Sequence, residues 1–284
     1  MTVKKLFLLL FLSTPNLYAT NWYTDLVTAQ KVAIASNKLI LVDFWANWCG
    51  PCKKMDRDVW SEEEVKDVLA NYVPLRVDFD TQRQLVNEYG VRGIPYVVIM
   101  DANGKVLHNN LGYTDKMQTL RILEKYRLNT SFMQLETAYF NRQPSYSTAL
   151  RLAQKYLDFS LYLEDPEVRH TVLALAKEYL SETEDLLDSK QSNYNMMEQK
   201  IKLLEANVDL YEGNYRKVGR FLEKKIDEED LRKYNWGIYC FLNYCLFKEE
   251  GDEENIQKWK NEMNQLKNPE VYWTRYSKLV ASKD

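Results

Sequence analysis

Short apolar runs alternate with segments of helical spacing between residues 38 and 127. The run KLILVDFWA has the length of a buried strand and is rich in β-branched and aromatic residues, and VPLRVDF has the same character. The segment IPYVVIMDANGKVLHN predicts two strands joined around Asn103 and Gly104, a pair that favours tight hairpins. Strands that alternate with helices before a hairpin predict an α/β sheet.

Helix signals lie between and around these strands. Ser61 and Glu64 have the spacing of a capping box, so we expect the helix of SEEEVKDVLANY to begin at Ser61. Gly90 is placed to end the helix TQRQLVNEYG, and Thr114 to cap the helix TDKMQTLRILEKY. The stretch 21–37 is expected to add one helix in front of the first strand.

The pattern changes at about Asn129, where strand signals stop and amphipathic, Tyr- and Leu-rich segments take over. We expect seven or eight helices joined by short turns. Two turns, LYEGNYRKV and KEEGDEENI, resemble each other, and their glycines Gly213 and Gly251 have a spacing close to that of tetratricopeptide repeats. A tetratricopeptide-like array and an irregular bundle both remain open. The predicted domains are therefore an α/β domain over 20–128 and an all-helical domain over 129–284.

The first 19 residues have the pattern of a secretory signal peptide. Lys4 and Lys5 form a basic start, an apolar run follows from Leu6, and small Ala19 ends the segment. The apolar run is shorter than the ~20 residues that a membrane-spanning helix needs. We therefore expect a periplasmic or secreted protein with no stable membrane insertion after cleavage.

Composition narrows the possible functions. The chain is 45% hydrophobic and 28% charged, which is typical of a globular protein, and its net charge of −3 gives no basic surface for nucleic acid. Four cysteines are too few for a disulfide-stapled scaffold. Cys240 and Cys245 are separated by ~7.5 Å of helical rise, so they are expected to pack as apolar residues rather than bond. His108 and His170 are isolated, and no metal site is expected.

The stretch FWANWCGPCKKMD carries the candidate chemistry. Cys49 follows a predicted buried strand and begins a predicted helix, where backbone N–H groups and the positive end of the helix dipole favour a thiolate. Pro51 suits the first turn of a helix. Cys52 lies one turn further on, expected to be less exposed, and is close enough to resolve a mixed disulfide on Cys49. Half of a zinc site and a purely structural disulfide are weaker alternatives.

Residues 38–127 resemble the thioredoxin family through LVDFWANWCGPCK, VDFD, YGVRGIPYVVIMDANGK and LGYT. The resemblance covers about a third of the chain. It implies the thioredoxin fold, with Cys49 as the attacking cysteine and Cys52 as the resolving one. It also implies no metal or organic cofactor, because electrons pass between thiols.

Further residues match the family position by position. Asp43 matches the buried acid behind the cysteine pair, and Pro95 matches the cis-proline that faces it. The positions that the resemblance implies for substrate contact are Trp48, Gly50, Pro51, Gly93, Ile94, Tyr96 and Gly112.

Three features depart from the common pattern. Tyr96 stands where threonine is usual, so we expect it to alter substrate choice, and Arg76 replaces a lysine near the acid. Arginine does not titrate as lysine can, which changes proton transfer. The helix after Met55 breaks and restarts near Ser61, and in this the chain resembles the exported thioredoxin-like module of membrane thiol-disulfide interchange reductases.

The predicted function is therefore that of an exported protein-disulfide reductase acting through Cys49 and Cys52. Its expected partners are proteins with disulfides and a membrane thiol-disulfide reductase that donates electrons. Two alternatives stay open. One is a client-binding or chaperone-like protein that uses the helical domain, and the other is an oxidase or isomerase of exported proteins.

Overall fold

A computed structural model describes residues 22–282, so the predicted signal peptide lies outside the described residues. The sheet has four strands in the order β2-β1-β3-β4, with β1 and β2 parallel and the other neighbours antiparallel. These strands are β1 (Leu39–Trp45), β2 (Tyr72–Asp78), β3 (Tyr96–Met100) and β4 (Val106–Leu111). The α/β sheet predicted from the sequence is confirmed, including the hairpin around Asn103 and Gly104.

Five α-helices flank the sheet. They are α1 (Leu26–Ser36), α2 (Gly50–Met55), α3 (Glu63–Leu69), α4 (Arg83–Glu88) and α5 (Lys116–Lys125). A π-helical turn, Asp56–Trp60, joins α2 to the segment before α3. This turn accounts for the interruption that the sequence shows after Met55.

Two predicted helix caps are wrong by one or two residues. Helix α3 begins at Glu63 rather than Ser61, because the hydroxyl of Ser61 donates to the carbonyl oxygen of Arg57 and so completes the preceding turn. Helix α5 is capped by Asp115 rather than Thr114, since the Asp115 carboxylate accepts the backbone N–H of Gln118. The Asp115 side chain thus caps α5, whereas Glu62, the residue before α3, makes no side-chain capping bond.

The second part of the described chain is all-helical, as predicted. A short 3₁₀ turn, Thr130–Met133, leads into eight α-helices within residues 129–282. They are α6 (Gln134–Arg142), α7 (Tyr146–Ser160), α8 (Pro166–Asp185), α9 (Tyr194–Tyr211), α10 (Tyr215–Lys225), α11 (Trp236–Glu250), α12 (Glu253–Asn264) and α13 (Pro269–Ala281). In the described residues, no helix is long and apolar enough to cross a membrane.

Two helical hairpins share the same turn. Gly213 stands between α9 and α10 with φ 78°, and Gly251 stands between α11 and α12 with φ 74°. Both values lie in the left-handed region, which glycine enters without a steric penalty. The similarity between the two turn sequences therefore corresponds to a left-handed glycine that follows the first helix of each hairpin.

Packing is continuous across the boundary near residue 128. One apolar core contains Leu107 and Tyr126 of the α/β part together with Phe140, Tyr156 and Tyr179 of the helical part. The boundary thus separates two kinds of secondary structure that share buried surface, and independent folding of 129–284 stays a prediction.

Candidate active site

The cysteine pair lies where β1 ends and α2 begins. Cys49 is the N-cap of α2, and its Sγ accepts the backbone N–H of Cys52 at 3.1 Å. Pro51 occupies the first turn, where its missing N–H leaves no helical hydrogen bond unmade. Cys49 and Cys52 are joined by a disulfide, with their Cα atoms 5.3 Å apart. The strand-to-helix placement predicted for the pair is confirmed.

The two cysteines do not differ in exposure, contrary to our expectation. Each is 2% exposed, and both pack with Ala46 against Trp45 and Ile94. The difference between them is one of position: Cys49 precedes the helix, whereas Cys52 is within its first turn. The direction of attack therefore rests on helix position rather than on burial.

Asp43 lies on the central strand β1 and is buried, with 2% of its surface exposed. Burial raises its pKa to about 6, although the charge of Arg76 acts in the opposite direction. The Arg76 Nη2 donates to Asp43 Oδ2 at 3.2 Å, while Asp43 Oδ1 has no hydrogen-bond partner. One oxygen of this carboxylate is thus available to accept a proton.

Arg76 is shared between two acids. The same Nη2 also contacts Asp56 in the π-helical turn, and the Asp56 charge adds to the rise in the Asp43 pKa. The guanidinium lies over the rings of Trp45 at 4.4 Å and Trp22 at 5.6 Å, so its position is fixed from several sides. Sequence reasoning missed Asp56. The sequence did contain a signal for Asp56: it lies four residues after Cys52, and residues four apart lie on the same side of a helix.

The loop before β3 contacts the pair from the other side. The Ile94–Pro95 peptide bond is cis, as the sequence permits, and Ile94 packs against the two cysteines. The Pro95 carbonyl oxygen accepts the N–H of Gly112 at 2.8 Å, which brings the loop after β4 to the same edge. Gly112 has φ 94°, and a Cβ built on Gly93 would lie 3.4 Å from Leu111.

Tyr96 is turned toward the core. Its ring is half-buried and lies 5.9 Å from that of Phe44, in the cluster formed beneath α1. The expectation that Tyr96 alters substrate choice stays a prediction.

Two exposed apolar side chains lie on the segments that carry the site. Trp48 is 64% exposed, and its Nε1 donates to Asp80 Oδ2 at 2.7 Å, which holds the indole beside the pair. Leu111, next to Gly112, is 63% exposed. Gly50 has open space around it. Asp80 and Leu111 were missed from the sequence, since only the folded chain brings them to this edge.

The other candidate ligands lie elsewhere. Cys240 and Cys245 are buried within α11, and burial raises the pKa of the Cys240 thiol to about 12. Burial also lowers the pKa of His108. Within residues 22–282, no group of three or more His, Cys, Asp or Glu side chains is placed to hold a metal.

A disulfide at a helix N-terminus, packed against the residue before a cis-proline and carried by a mixed four-stranded sheet with a buried acid on β1, defines a thiol-disulfide oxidoreductase. The thioredoxin-like domain family matches residues 26–127. The chain is 35% identical over 101 residues to the thioredoxin of Griffithsia pacifica, covering 36% of this chain and 90% of that protein. The chain therefore belongs to the thioredoxin family.

Other similarities are of the same kind. The thioredoxin of Rickettsia felis is 31% identical over 96 residues, covering 34% of this chain and 89% of that protein. Among solved structures, the C-terminal domain of Neisseria meningitidis DsbD in its oxidised form is 24% identical, with a TM-score of 0.33. That match covers 37% of this chain and 99% of the domain.

Proposed function

We propose that this protein is an exported reductase of protein disulfides that acts through Cys49 and Cys52. The observation that carries the proposal is the Cys49–Cys52 disulfide closed across the N-terminus of α2. Export rests on the signal-peptide pattern of residues 1–19. Such a leader, together with a redox pair, fits an oxidising compartment such as the periplasm.

The reaction begins with the reduced pair. The Cys49 thiolate attacks one sulfur of a client disulfide, forms a mixed disulfide and releases the other client sulfur as a thiolate. Cys52 then gives up its proton and attacks Cys49 Sγ. This step forms the Cys49–Cys52 disulfide and releases the second client thiolate, so two electrons pass from the pair to the client. Protons from Cys52 and the solvent return the client sulfurs to thiols.

Asp43 is proposed to accept the Cys52 proton through its unpartnered Oδ1. Because its pKa is about 6, Asp43 is largely ionised at pH 7. This pKa also lies close enough to pH 7 for the carboxylate to take up a proton during the reaction. Arg76 is the positioning residue that holds the other oxygen of this carboxylate. Pro95 is proposed to meet the client backbone, with the contact surface formed by Trp48, Gly50, Pro51, Gly93, Ile94, Tyr96 and Gly112.

The proposed direction follows from charge. Ionised Asp43 disfavours a nearby thiolate, and a less stabilised thiolate makes the pair more reducing. We expect a reduction potential below about −220 mV, toward thioredoxin and away from the strong oxidant DsbA. A reducing pair in an oxidising compartment needs a continuous supply of electrons. The proposed donor is a dithiol reductase in the membrane, and no metal or organic cofactor is required.

The test is reduction of insulin by dithiothreitol, followed by turbidity. We expect the protein to accelerate precipitation and Cys49→Ser to lose this activity. A protein that only binds clients gives no acceleration. Trapping of thiols in growing cells reports the direction: a reduced pair supports the reductase, whereas a fully oxidised pair with a high potential supports an oxidase or isomerase.

A further inference from the structure

A row of exposed apolar side chains marks one side of the helical part. Phe132, Leu135 and Tyr139 follow each other at spacings of three and four residues along the 3₁₀ turn and α6, and are 41%, 65% and 52% exposed. Tyr162, just after α7, is 52% exposed, and its ring lies 6.0 Å from that of Phe132. Together these four residues form a surface, here called the aromatic row. Grouped exposed apolar side chains are typical of binding surfaces.

Each ring of the aromatic row has a cation over it. Arg151 lies 5.4 Å from the Tyr139 ring, Lys155 lies 4.8 Å from the Phe132 ring, and Lys278 lies 4.9 Å from the Tyr162 ring. Within residues 22–282 none of these three cations is in an ion pair.

These three cations lack carboxylate partners although the whole chain has more acidic residues (41) than basic ones (38). Acids are therefore available in number, yet none pairs with these cations. The cations are free to meet carboxylates supplied by another molecule.

A cleft opens beside the row. It has a volume of about 240 Å³ and lies between Phe132 and Tyr162 on one side and Val271 and Thr274 of α13 on the other. Asp158 and Arg275 also line it, but they neutralise each other through hydrogen bonds of 2.7 and 3.0 Å.

Three further acids lie close to the row in the chain or line the cleft. Glu270 lines the cleft, Glu136 is next to Leu135, and Glu164 is two residues after Tyr162. None of the three is in an ion pair with the cations over the rings, so these cations remain unpaired within residues 22–282.

We propose that the aromatic row and its cleft bind an unfolded, acidic segment of the client polypeptide. Carboxylates of the client meet Arg151, Lys155 and Lys278, and an aliphatic or aromatic side chain between them enters the cleft. This inference rests on the proposed function, since it assigns a second contact to the same client. A concave cleft suits an inserted side chain better than it suits the flat surface of a membrane. Residues 1–21 of the chain itself contain Lys4 and Lys5 and no acid, so they do not match the cations.

The surface lies at the end of β1 opposite to the redox pair. The N–H of Thr130, at the start of the 3₁₀ turn, donates to the carbonyl oxygen of Asn37 at 3.2 Å, just before β1. Cys49 follows the other end of this seven-residue strand, which spans about 23 Å. A client held at the row would need about seven extended residues to bring its disulfide to Cys49. Binding at two points raises the effective concentration of that disulfide, so KM falls while kcat stays the same.

The direct test is fluorescence anisotropy with a labelled 12-residue peptide in which glutamates alternate with leucine and one central phenylalanine. A matched peptide has lysine in place of each glutamate. We expect the acidic peptide to bind and the basic one not to bind. Lys155→Glu and Leu135→Ser should each weaken binding about tenfold, whereas Lys190→Glu and Val27→Ser, at exposed positions elsewhere, should leave it unchanged. Equal binding of both peptides, or unchanged binding by Lys155→Glu, overturns the inference.

A second measurement separates this inference from the proposed function. Two disulfide-containing peptides are compared as substrates, one with the acidic segment placed ten residues from its disulfide and one without it. Lys155→Glu should lower kcat/KM about tenfold for the first peptide and leave the second unchanged. If neither peptide is reduced, the proposed function fails, and anisotropy still reports on the surface.

Other occupants give distinct results. Binding to anionic lipid vesicles that Lys155→Glu abolishes, without peptide binding, would assign the surface to a membrane. A concentration-dependent dimer that Leu135→Ser dissociates would assign it to a second copy of the chain. Either result overturns the inference.

Discussion

Tyr179 of α8 and Asp101, just after β3, are 78 positions apart in the chain and share a buried hydrogen bond. The Asp101 Oδ2 also accepts from Tyr156 of α7 at 2.9 Å, and Asp101 Oδ1 accepts two backbone N–H groups of its own turn. Both oxygens of the Asp101 carboxylate therefore accept hydrogen bonds. Burial nevertheless raises the pKa of Asp101. The sheet and the first two long helices of the helical part are joined at this point.

We expect Tyr179→Phe to lower the free energy of unfolding by about 1–3 kcal/mol, because a buried carboxylate loses a donor. Urea unfolding followed by tryptophan fluorescence and by helical circular dichroism should show the same shift in both signals. Tyr234→Phe, at a residue that is 84% exposed, is the control and should change little. A shift confined to one signal would show that the two parts unfold separately.

Residues 129–284 produced alone are expected to give a helical spectrum and a cooperative melt. The fragment should be less stable than the same helices in the whole chain, because Phe140, Tyr156 and Tyr179 lose the apolar surface that covers them. Thermal melts of the fragment and the whole protein compare the two. An unfolded fragment would mean that the helical part depends on the sheet for its core.

The roles of the two cysteines can be separated by serine variants. Cys49→Ser should abolish disulfide reduction, since it removes the sulfur at the helix N-terminus. Cys52→Ser should permit the first attack and accumulate a mixed disulfide on Cys49. Non-reducing gels and mass spectrometry identify the trapped species. Mixed disulfides found on Cys52 of the Cys49→Ser protein would reverse the assignment.

The raised pKa of Asp43 predicts how the stability of the protein changes with pH. Its pKa is raised from 3.8 to about 6 in the folded chain, so the folded state holds a proton that the unfolded state has released between these values. Stability contributed by this group is therefore full below about pH 4 and lost as the pH rises through 6. Asp43→Asn should raise the free energy of unfolding by about 1–3 kcal/mol at pH 7.5, with no gain near pH 3.5. Denaturant unfolding at the two pH values checks this, and a gain that is equal at both would contradict it.

Arg76 and Asp56 should shift the pKa of Asp43 in opposite directions. Arg76→Met removes a charge that favours the ionised carboxylate, so the Asp43 pKa should rise. Asp56→Asn removes a like charge, so the pKa should fall. Carbon NMR titration of the Asp43 carboxyl measures both directly. The pH at which the attack of Cys52 on the mixed disulfide becomes slow should shift in the same direction as the Asp43 pKa. Shifts of the Asp43 pKa in the same direction in both variants would contradict the proposed roles of Arg76 and Asp56.

The sequence was sufficient for several features whose signal is local. The cysteine pair, the strand before it and the glycine turns at Gly213 and Gly251 each occupy a few consecutive residues, and the structure places them as predicted. The misplaced cap at Thr114 arose where two adjacent polar residues compete for one helix end, and local pattern does not decide between them, because each has a side chain that can accept a hydrogen bond. Ser61 was misplaced because its hydroxyl completes the turn before α3.

The parts that escaped prediction depend on distant residues. Nothing near Asp101 in the sequence indicates that Tyr156 and Tyr179 will meet it. The bridging of Asp43 and Asp56 by Arg76 likewise requires that β1, β2 and the π-helical turn come together. The equal burial of Cys49 and Cys52 follows from packing against Ala46, Trp45 and Ile94, which helix position alone does not specify.

The matching turns at Gly213 and Gly251 have a consequence for how the protein can change in length. Each turn closes a complete helical hairpin, and the contacts described above between the helical part and the sheet come from α6, α7 and α8, ahead of both hairpins. Helix α13, after both hairpins, returns to α7 through the ion pair between Arg275 and Asp158, so the hairpins lie in a stretch of chain that is held at both ends. A change in length by a whole hairpin between α8 and α13 therefore leaves the redox centre untouched only if the contact between Arg275 and Asp158 is kept.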